Sequence, residues 1–429
     1  MAERQRYRLP FAESMPGRRS RDAGSVMAMR QIWMIAFTHY NSDPRVRREA
    51  EALAAAGHRV RVLALRKDNQ VPRERVEGVE VIRLPLSRRR GREVGGYLRR
   101  YALFFLLAFW HTTSALFSGK IDLVHVHTMP DLLVFAALLP RLLGKPVILD
   151  VHDMMPELYR AKFGLSERSF AIRLLRWQER LATAFASRVI AVHEPHLAVL
   201  RQRGTPARKA TVIMNLPDER IFSRNGRPAP AAAADRGPGA PYRGPGAPYR
   251  LIYHGTLAPR HGVRTAILAC ARLREEMPRL SLQIVGDGEE RANLIELVRE
   301  LQLEERVSFS NGALPVDRLP AVLAEADLGL VPGRIDPSTD LMLPTKLLEY
   351  LRMRIPVVCS PLRAVQHYFG RDGLTYAAPS DTDAWADAIR RHARDASVGR
   401  AQLAGVASFL TQRTWSAEKR RLLDLYRSC

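Results

Sequence analysis

One pattern constrains this chain more than any other. Short β-branched apolar segments alternate with helical patterns, and the series is played through twice. The first series has strands at 32–37, 58–65, 79–83, 123–126, 147–151 and 189–192. The second restarts at Leu251 and continues at 282–285, 307–309, 328–331 and 357–359. Its helical patterns lie near 262–277, 289–301, 315–325, 344–353 and 383–395. Such alternation predicts parallel strands joined by right-handed crossovers, in an α/β fold. Between the series, composition changes. Ala231–Ala234 is an alanine tract, and Arg236–Tyr242 is repeated as Arg243–Tyr249. Pro- and Gly-rich sequence of this kind builds no core and predicts a linker. Two doubly wound halves with a hinge follow, and such sheets bind ligands at the carboxyl ends of their strands, in the cleft. The expected units are an unstructured extension at 1–28, a first Rossmann-like domain at 29–222, a linker at 223–250, a second Rossmann-like domain at 251–410 and a terminal helix at 411–429.

Charge narrows the partners. The net charge of +23 favours anionic ligands: nucleic acid, acidic lipid or phosphorylated substrates. An Arg-rich but ordinary surface accounts for the same excess. No RRM, KH or zinc-finger signature is present, so no specific nucleic acid is expected. Cys270, Cys359 and Cys429 are far apart and odd in number, which excludes a disulfide framework. Residues 1–28 are Arg-rich without an apolar stretch, so a secretion signal is not expected, and Met27 or Met29 is an alternative start. The apolar run 101–110 falls well short of the roughly 20 residues of a spanning helix. Arg88, Arg89, Arg90, Arg92, Arg99 and Arg100 precede it. Basic residues beside an apolar helix read as a membrane-surface element. A buried helix behind a basic loop gives the same pattern. The expected location is cytoplasmic, peripheral at the inner face of the plasma membrane.

Three places carry chemistry in the second half. Pro344 is suited to the first position of a helix whose amides favour phosphate. On that helix Lys346 and Glu349 share a face, a cation for a diphosphate and a carboxylate for ribose hydroxyls; a surface ion pair reads alike. His254-Gly255-Thr256 ends a strand, with Arg260 and His261 adding positive charge before Gly262. Gly286-Asp287-Gly288 ends the next strand. In the first half, Asp150-Val151-His152-Asp153 ends a strand, and Asp43 caps the helix opened by Pro44. His125 and His127 share a strand face. Together with His152 and Asp153 they raise a metal site, but the spacing fixes no ligand set, and no metal is expected.

In this order, the motifs resemble those of the retaining glycosyltransferases of family 4, from about Gln31 to the C-terminus apart from the insert. They are Asp43-Pro44-Arg45-Val46-Arg47-Arg48-Glu49, His152-Asp153, Asn215-Leu216-Pro217-Asp218, His254-Gly255-Thr256, Gly286-Asp287-Gly288 and Pro344–Tyr350. The resemblance implies the GT-B fold: two Rossmann-like domains facing across a cleft. It implies a nucleotide-sugar donor, bound by Gly255, Thr256, Arg260, His261, Gly286, Lys346 and Glu349. It implies His152 and Asp153 near the transferred sugar and His39, Asp43 and Arg45 on the acceptor side. The acceptor would be a glycan or lipid-linked, with no cofactor or metal. The helix after Trp415 would cross back to the first domain. Two departures stand out. The family pairs Glu349 with an earlier glutamate, and that position is Leu341 here, beside Asp340. The glycine-rich loop after the first strand is replaced by 38–43. Two other readings stay open: a sugar-nucleotide epimerase of the same fold, and a non-catalytic basic protein that binds membrane or nucleic acid.

Overall fold

The computed structural model describes residues 28–67, 69–86, 94–223 and 248–429. In the first lobe the strands are β1 (Gln31–Ala36), β2 (Arg59–Leu65), β3 (Arg73–Val76), β4 (Val79–Leu84), β5 (Leu123–His127), β6 (Val147–Val151), β7 (Arg188–Ala191) and β8 (Ala210–Val212). They form one sheet in the order β3-β4-β2-β1-β5-β6-β7-β8. All neighbours are parallel except β3 on β4. The second lobe holds β9 (Tyr249–His254), β10 (Leu280–Val285), β11 (Val307–Phe309), β12 (Leu328–Val331), β13 (Val357–Cys359) and β14 (Thr375–Tyr376), in the order β11-β10-β9-β12-β13-β14. Strand order reverses beside β1 in one sheet and beside β9 in the other. Those two switch points are where a doubly wound sheet opens a crevice.

Both sheets are covered on two faces. Ile32 and Met34 pack into one cluster, while Trp33 and Ile35 pack into another. Leu251 and Tyr253 likewise face away from Ile252. This is why the strands read as nearly continuous apolar runs. Three strands lay below the reach of the pattern. β3 is exposed and made of Arg-Glu-Arg-Val, β8 has three residues and β14 two. The linker is shorter than expected, because Tyr249 and Arg250, the end of the duplicated unit, already belong to β9. The rest of the insert, residues 1–27 and Arg88–Arg92 lie outside the described residues.

The helix expected around 101–110 runs from Val94 to Phe117. His111–Ser114 do not end it: the Thr112 hydroxyl donates to the Ala136 carbonyl at 2.6 Å. Among the described residues no helix is long and apolar enough to cross a membrane.

The Trp415–Arg427 helix lies against the first lobe, with Trp415, Leu422, Leu425 and Tyr426 in the same cluster as Met34 and Val46. Glu219 accepts the Trp415 and Ser416 amides at 3.0 Å each, which caps that helix from the hinge. Arg48, on the Pro44–Ala55 helix, binds the Leu216 carbonyl and the Asn215 side chain and stacks over Trp415. These contacts fasten the C-terminal helix to the first lobe and the hinge.

Candidate active site

The second lobe builds a cation-lined cradle at the end of β9. Tyr253 Oη donates to the Thr256 carbonyl at 2.8 Å, and the Gly255 amide donates to the Val285 carbonyl at 2.9 Å. The two βα loops therefore interlock. Gly286 is required by that packing, since a Cβ there would stand 1.9 Å from the Gly255 carbonyl oxygen. Gly262 is required too, because its Cβ would meet the Pro332 carbonyl oxygen at 1.8 Å. The helix beyond is Thr345–Arg352, with Pro344 one residue earlier than expected, at the cap position instead of inside the first turn. Tyr350 is buried and ties this helix to β9, accepting from the His254 amide at 3.0 Å and donating to the Ile252 carbonyl at 3.3 Å.

Lys346 and Glu349 then converge on the strand end. Lys346 is nearly buried, with Nζ 3.9 Å from the centre of the Tyr253 ring. Burial pushes its pKa down to about 7, against the opposing pull of Glu349 and with the help of Arg260. No carboxylate lies within ion-pairing distance of Nζ among the described residues, so a desolvated ammonium faces the cavity. His261 is pushed down to about 3 by burial, then by Lys346 and Arg260, and stays neutral. Glu349 Oε2 lies 2.9 Å from His254 Nε2, misaligned for a hydrogen bond. That oxygen is buried without a hydrogen-bond partner among the described residues, so it keeps its acceptor capacity.

The first lobe contributes a buried ionic network under the cleft. Asp150 takes both teeth of the Arg45 guanidinium, at 2.7 and 2.8 Å. His127 Nδ1 and His152 Nε2 approach Asp150 Oδ2 at 3.1 and 3.0 Å. Burial would raise the Asp150 pKa, but Arg45 and the histidines hold it well below the usual carboxylate range. Burial would lower His152, and Asp150 more than offsets this, so His152 is raised. Its Nδ1 has no partner among the described residues. Arg45 also donates to the Ile213 carbonyl at 3.0 Å. It was expected on the acceptor side; it does line the cavity between the lobes, with its guanidinium taken up by Asp150 and the Ile213 carbonyl, so it also positions the network.

One cavity of about 220 Å³ is lined by Gly255, Thr256, Arg260, His261, Thr345 and Lys346. A second, of about 280 Å³, lies between the lobes, with Asp43, Arg45, His152 and Asp153 on one wall and Leu341–Thr345 on the other. Both include Met342, Pro344 and Thr345, so they adjoin. Glu349 is on neither lining. Gly286 supports the Gly255 loop from below. His39 lines neither cavity; its Nδ1 faces the Leu65 carbonyl at 3.3 Å. Where the resemblance leads one to look for a second glutamate, Leu341 presents an apolar side chain. Asp340 does not stand in: its Oδ1 accepts the Arg363 amide at 2.8 Å. Of the four groups considered for a metal, three stay together, with His127 Nδ1 3.1 Å from His152 Nε2, and only Asp153 stands apart. His125 and His127 stack at 4.2 Å, but their acidic neighbours are Glu49 and Asp150, not Asp153.

Two site histidines escaped the sequence reading. His193 caps the Glu194–Gln202 helix by accepting the His196 amide at 3.2 Å, and both line the cavity between the lobes. Burial lowers His193 to about 4, partly offset by a backbone hydrogen bond to Leu341 of the other lobe. The signal was available, because His193 follows the end of β7 just as His152 follows β6.

A glycosyl transferase 4-like domain model matches residues 42–215, and a glycosyl transferases group 1 model matches 248–395. An alpha-D-kanosaminyltransferase of Streptomyces kanamyceticus is 25% identical over 59% of this chain and 63% of its own length. A 2-deoxystreptamine glucosyltransferase of the same organism is 28% identical over 67% of this chain and 74% of its own. A putative colanic acid biosynthesis glycosyltransferase, WcaL, of Escherichia coli is 29% identical over 37% and 36%. The first of these relatives is thus matched over less than two thirds of its length. Among solved structures, a sucrose-phosphate synthase from Thermosynechococcus elongatus superposes with TM-score 0.71 at 21% identity, covering 92% of this chain and 98% of that one. Anabaena HepE, solved with UDP and glucose, gives 0.65 at 16%, covering 93% and 100%. The two matched ranges fall one in each lobe, and the solved structures share the fold: the chain belongs to the glycosyltransferases of the GT-B fold.

Proposed function

We propose that this protein transfers a glycosyl residue, with retention, from a nucleoside-diphosphate sugar to a glycan or lipid-linked acceptor of the cell envelope. One observation carries this reading: a cavity holding a desolvated Lys346, without an ion-pair partner among the described residues, adjoins a second cavity lined by His152, which buried Asp150 backs. The diphosphate would lie against Lys346 and Arg260, with the Gly255–Thr256 loop giving close backbone approach. Glu349, beside His254, would accept from the ribose hydroxyls. The sugar would then extend toward His152, which lines that cavity while Asp150 lies against its Nε2. Departure and attack on one sugar face let the leaving diphosphate oxygen take the acceptor proton. Catalysis is then mainly stabilisation of that leaving charge by Lys346 and Arg260. Asp43, Asp153 and His193 form the wall an acceptor would meet.

The names of the relatives favour transfer over epimerisation, and one is assigned to colanic acid biosynthesis. A cytoplasmic protein at the inner face of the plasma membrane suits such an acceptor. Incubation with a panel of nucleotide sugars tests the reading. Turnover with release of the nucleoside diphosphate supports it, and an NMR-detected retained anomer supports the stereochemistry. Conversion to a new nucleotide sugar without release favours the epimerase. No turnover and no binding across the panel removes the proposal.

A further inference from the structure

The Phe170–Phe185 helix turns apolar side chains outward. Phe170, Leu174, Trp177 and Leu181 are spaced four, three and four apart and share one helix face. Phe170 is 74% exposed and Trp177 is 56% exposed. Its opposite face is the buried one, with Ile172 and Ala182. The Val94–Phe117 helix does the same: Leu106 and Trp110 are exposed, Trp110 to 69%. The two helices are joined into one surface by the segment between them. Thr112 bonds the Ala136 carbonyl, Phe135 and Phe185 rings lie 4.9 Å apart, and Arg141 Nε donates to the Phe185 carbonyl at 3.1 Å. Inward residues from all three, Phe104, Val134 and Ala182, share one core cluster, so all three cover the same side of the first sheet. Leu142 and Leu143, on the middle segment, are exposed as well. An apolar area of this extent is unusual on a protein that stays alone in water.

Its charge says what covers it. The Val94–Phe117 helix has no acidic residue, and the only one on the Phe170–Phe185 helix is Glu179, buried and paired with Arg203 at 3.0 Å. Arg99, Lys162, Arg168 and Arg173 are exposed on or beside these elements. Glu167, the exposed carboxylate among them, is held by Arg176 at 2.5 Å. Apolar side chains flanked by cations of one sign repel a second copy of the same face and match an anionic bilayer. We propose that this face, built on two helices instead of the single stretch 88–110, seats the first lobe on an anionic lipid surface. The Met155–Phe163 helix leads from the cleft wall at Asp153 to the exposed Phe163, and Arg160 and Arg176 line a groove shared with Ile335 of the second lobe. The face therefore borders the side of the cleft that a lipid-linked acceptor would enter. The inference deepens the proposed acceptor class and rests on it for that last point only.

Co-sedimentation of the full chain with vesicles, without donor or acceptor, tests it. Binding is expected to phosphatidylglycerol-containing vesicles, falling with salt, and to be much weaker with phosphatidylcholine alone. Leu106→Asp with Trp177→Asp is expected to lower partitioning at least about tenfold. Arg173→Glu, at an exposed position that packing does not constrain, is expected to lower it about fivefold or more. Unchanged nucleoside-diphosphate binding by the variants shows that they are folded, and separates this proposal from the glycosyl-transfer reading. Wild-type protein that ignores anionic vesicles overturns the inference. So does vesicle binding insensitive to both sets of changes. Self-association that the same substitutions abolish, with no vesicle binding, overturns it in favour of a second copy.

Discussion

Lys346 offers the most direct test of the donor site, because its pKa must change when an anion arrives. Burial lowers the ammonium from 10.5 to about 7. At 1.36 kcal/mol per unit, the empty site disfavours the charged form by about 5 kcal/mol. A diphosphate placed against Nζ restores an opposite charge and raises the pKa again. Binding above pH 7 must then be accompanied by proton uptake. The apparent dissociation constant should rise with pH, approaching tenfold per unit until the pKa of the bound state is reached. Between pH 7.5 and 9 the free-state titration alone predicts weakening of about 20-fold. Titration calorimetry with UDP, in buffers of different ionisation enthalpy, measures both affinity and proton count. Lys346→Met should bind more weakly at pH 7 and lose both the uptake and the pH slope. A wild-type affinity flat from pH 7.5 to 9, or a Lys346→Met protein with an unchanged slope, would refute the assignment of Lys346 to the diphosphate.

Glu349→Gln should lower UDP affinity about 10–100-fold, the value of charged hydrogen bonds, and leave inorganic pyrophosphate binding nearly unchanged. Equal loss with both ligands contradicts a ribose contact. Asp150→Asn leaves Arg45 buried with half a partner and should cost about 3–5 kcal/mol in urea denaturation. Because the Asp150 pKa is depressed on folding, that contribution is present above the unfolded value of about 3.9 and is lost as pH falls toward the folded one. The stability gap between wild type and Asp150→Asn should therefore narrow on acidification below pH 4. Gly286→Ala drives a methyl into the Gly255 carbonyl and should destabilise by about 1–3 kcal/mol while weakening UDP binding. Unaltered calorimetry for that variant would show that the two loops are not coupled.

The sequence alone was enough to specify two doubly wound lobes, because a strand covered by helices on both faces must be apolar along its whole length. β6, β12 and β13 fall at the expected residues for that reason. β3 was invisible because an exposed edge strand of Arg-Glu-Arg-Val carries no such signature. Lys346 and Glu349 stood out because glycine loops and a helix start surround them, and helix geometry puts them on one face. Their partners were another matter. That Lys346 stacks on Tyr253 and Glu349 meets His254 depends on how close the Tyr350 bond draws the helix to β9. The resemblance put Arg45 on the acceptor side; burial is not legible in one dimension, and only the fold shows its guanidinium divided between Asp150, 105 positions away, and the Ile213 carbonyl. Local pattern determined which elements form and which residues stand at their ends. Tertiary packing decided which charges are desolvated and by what they are neutralised, since that depends on distances of a few ångströms between segments the chain keeps about a hundred residues apart.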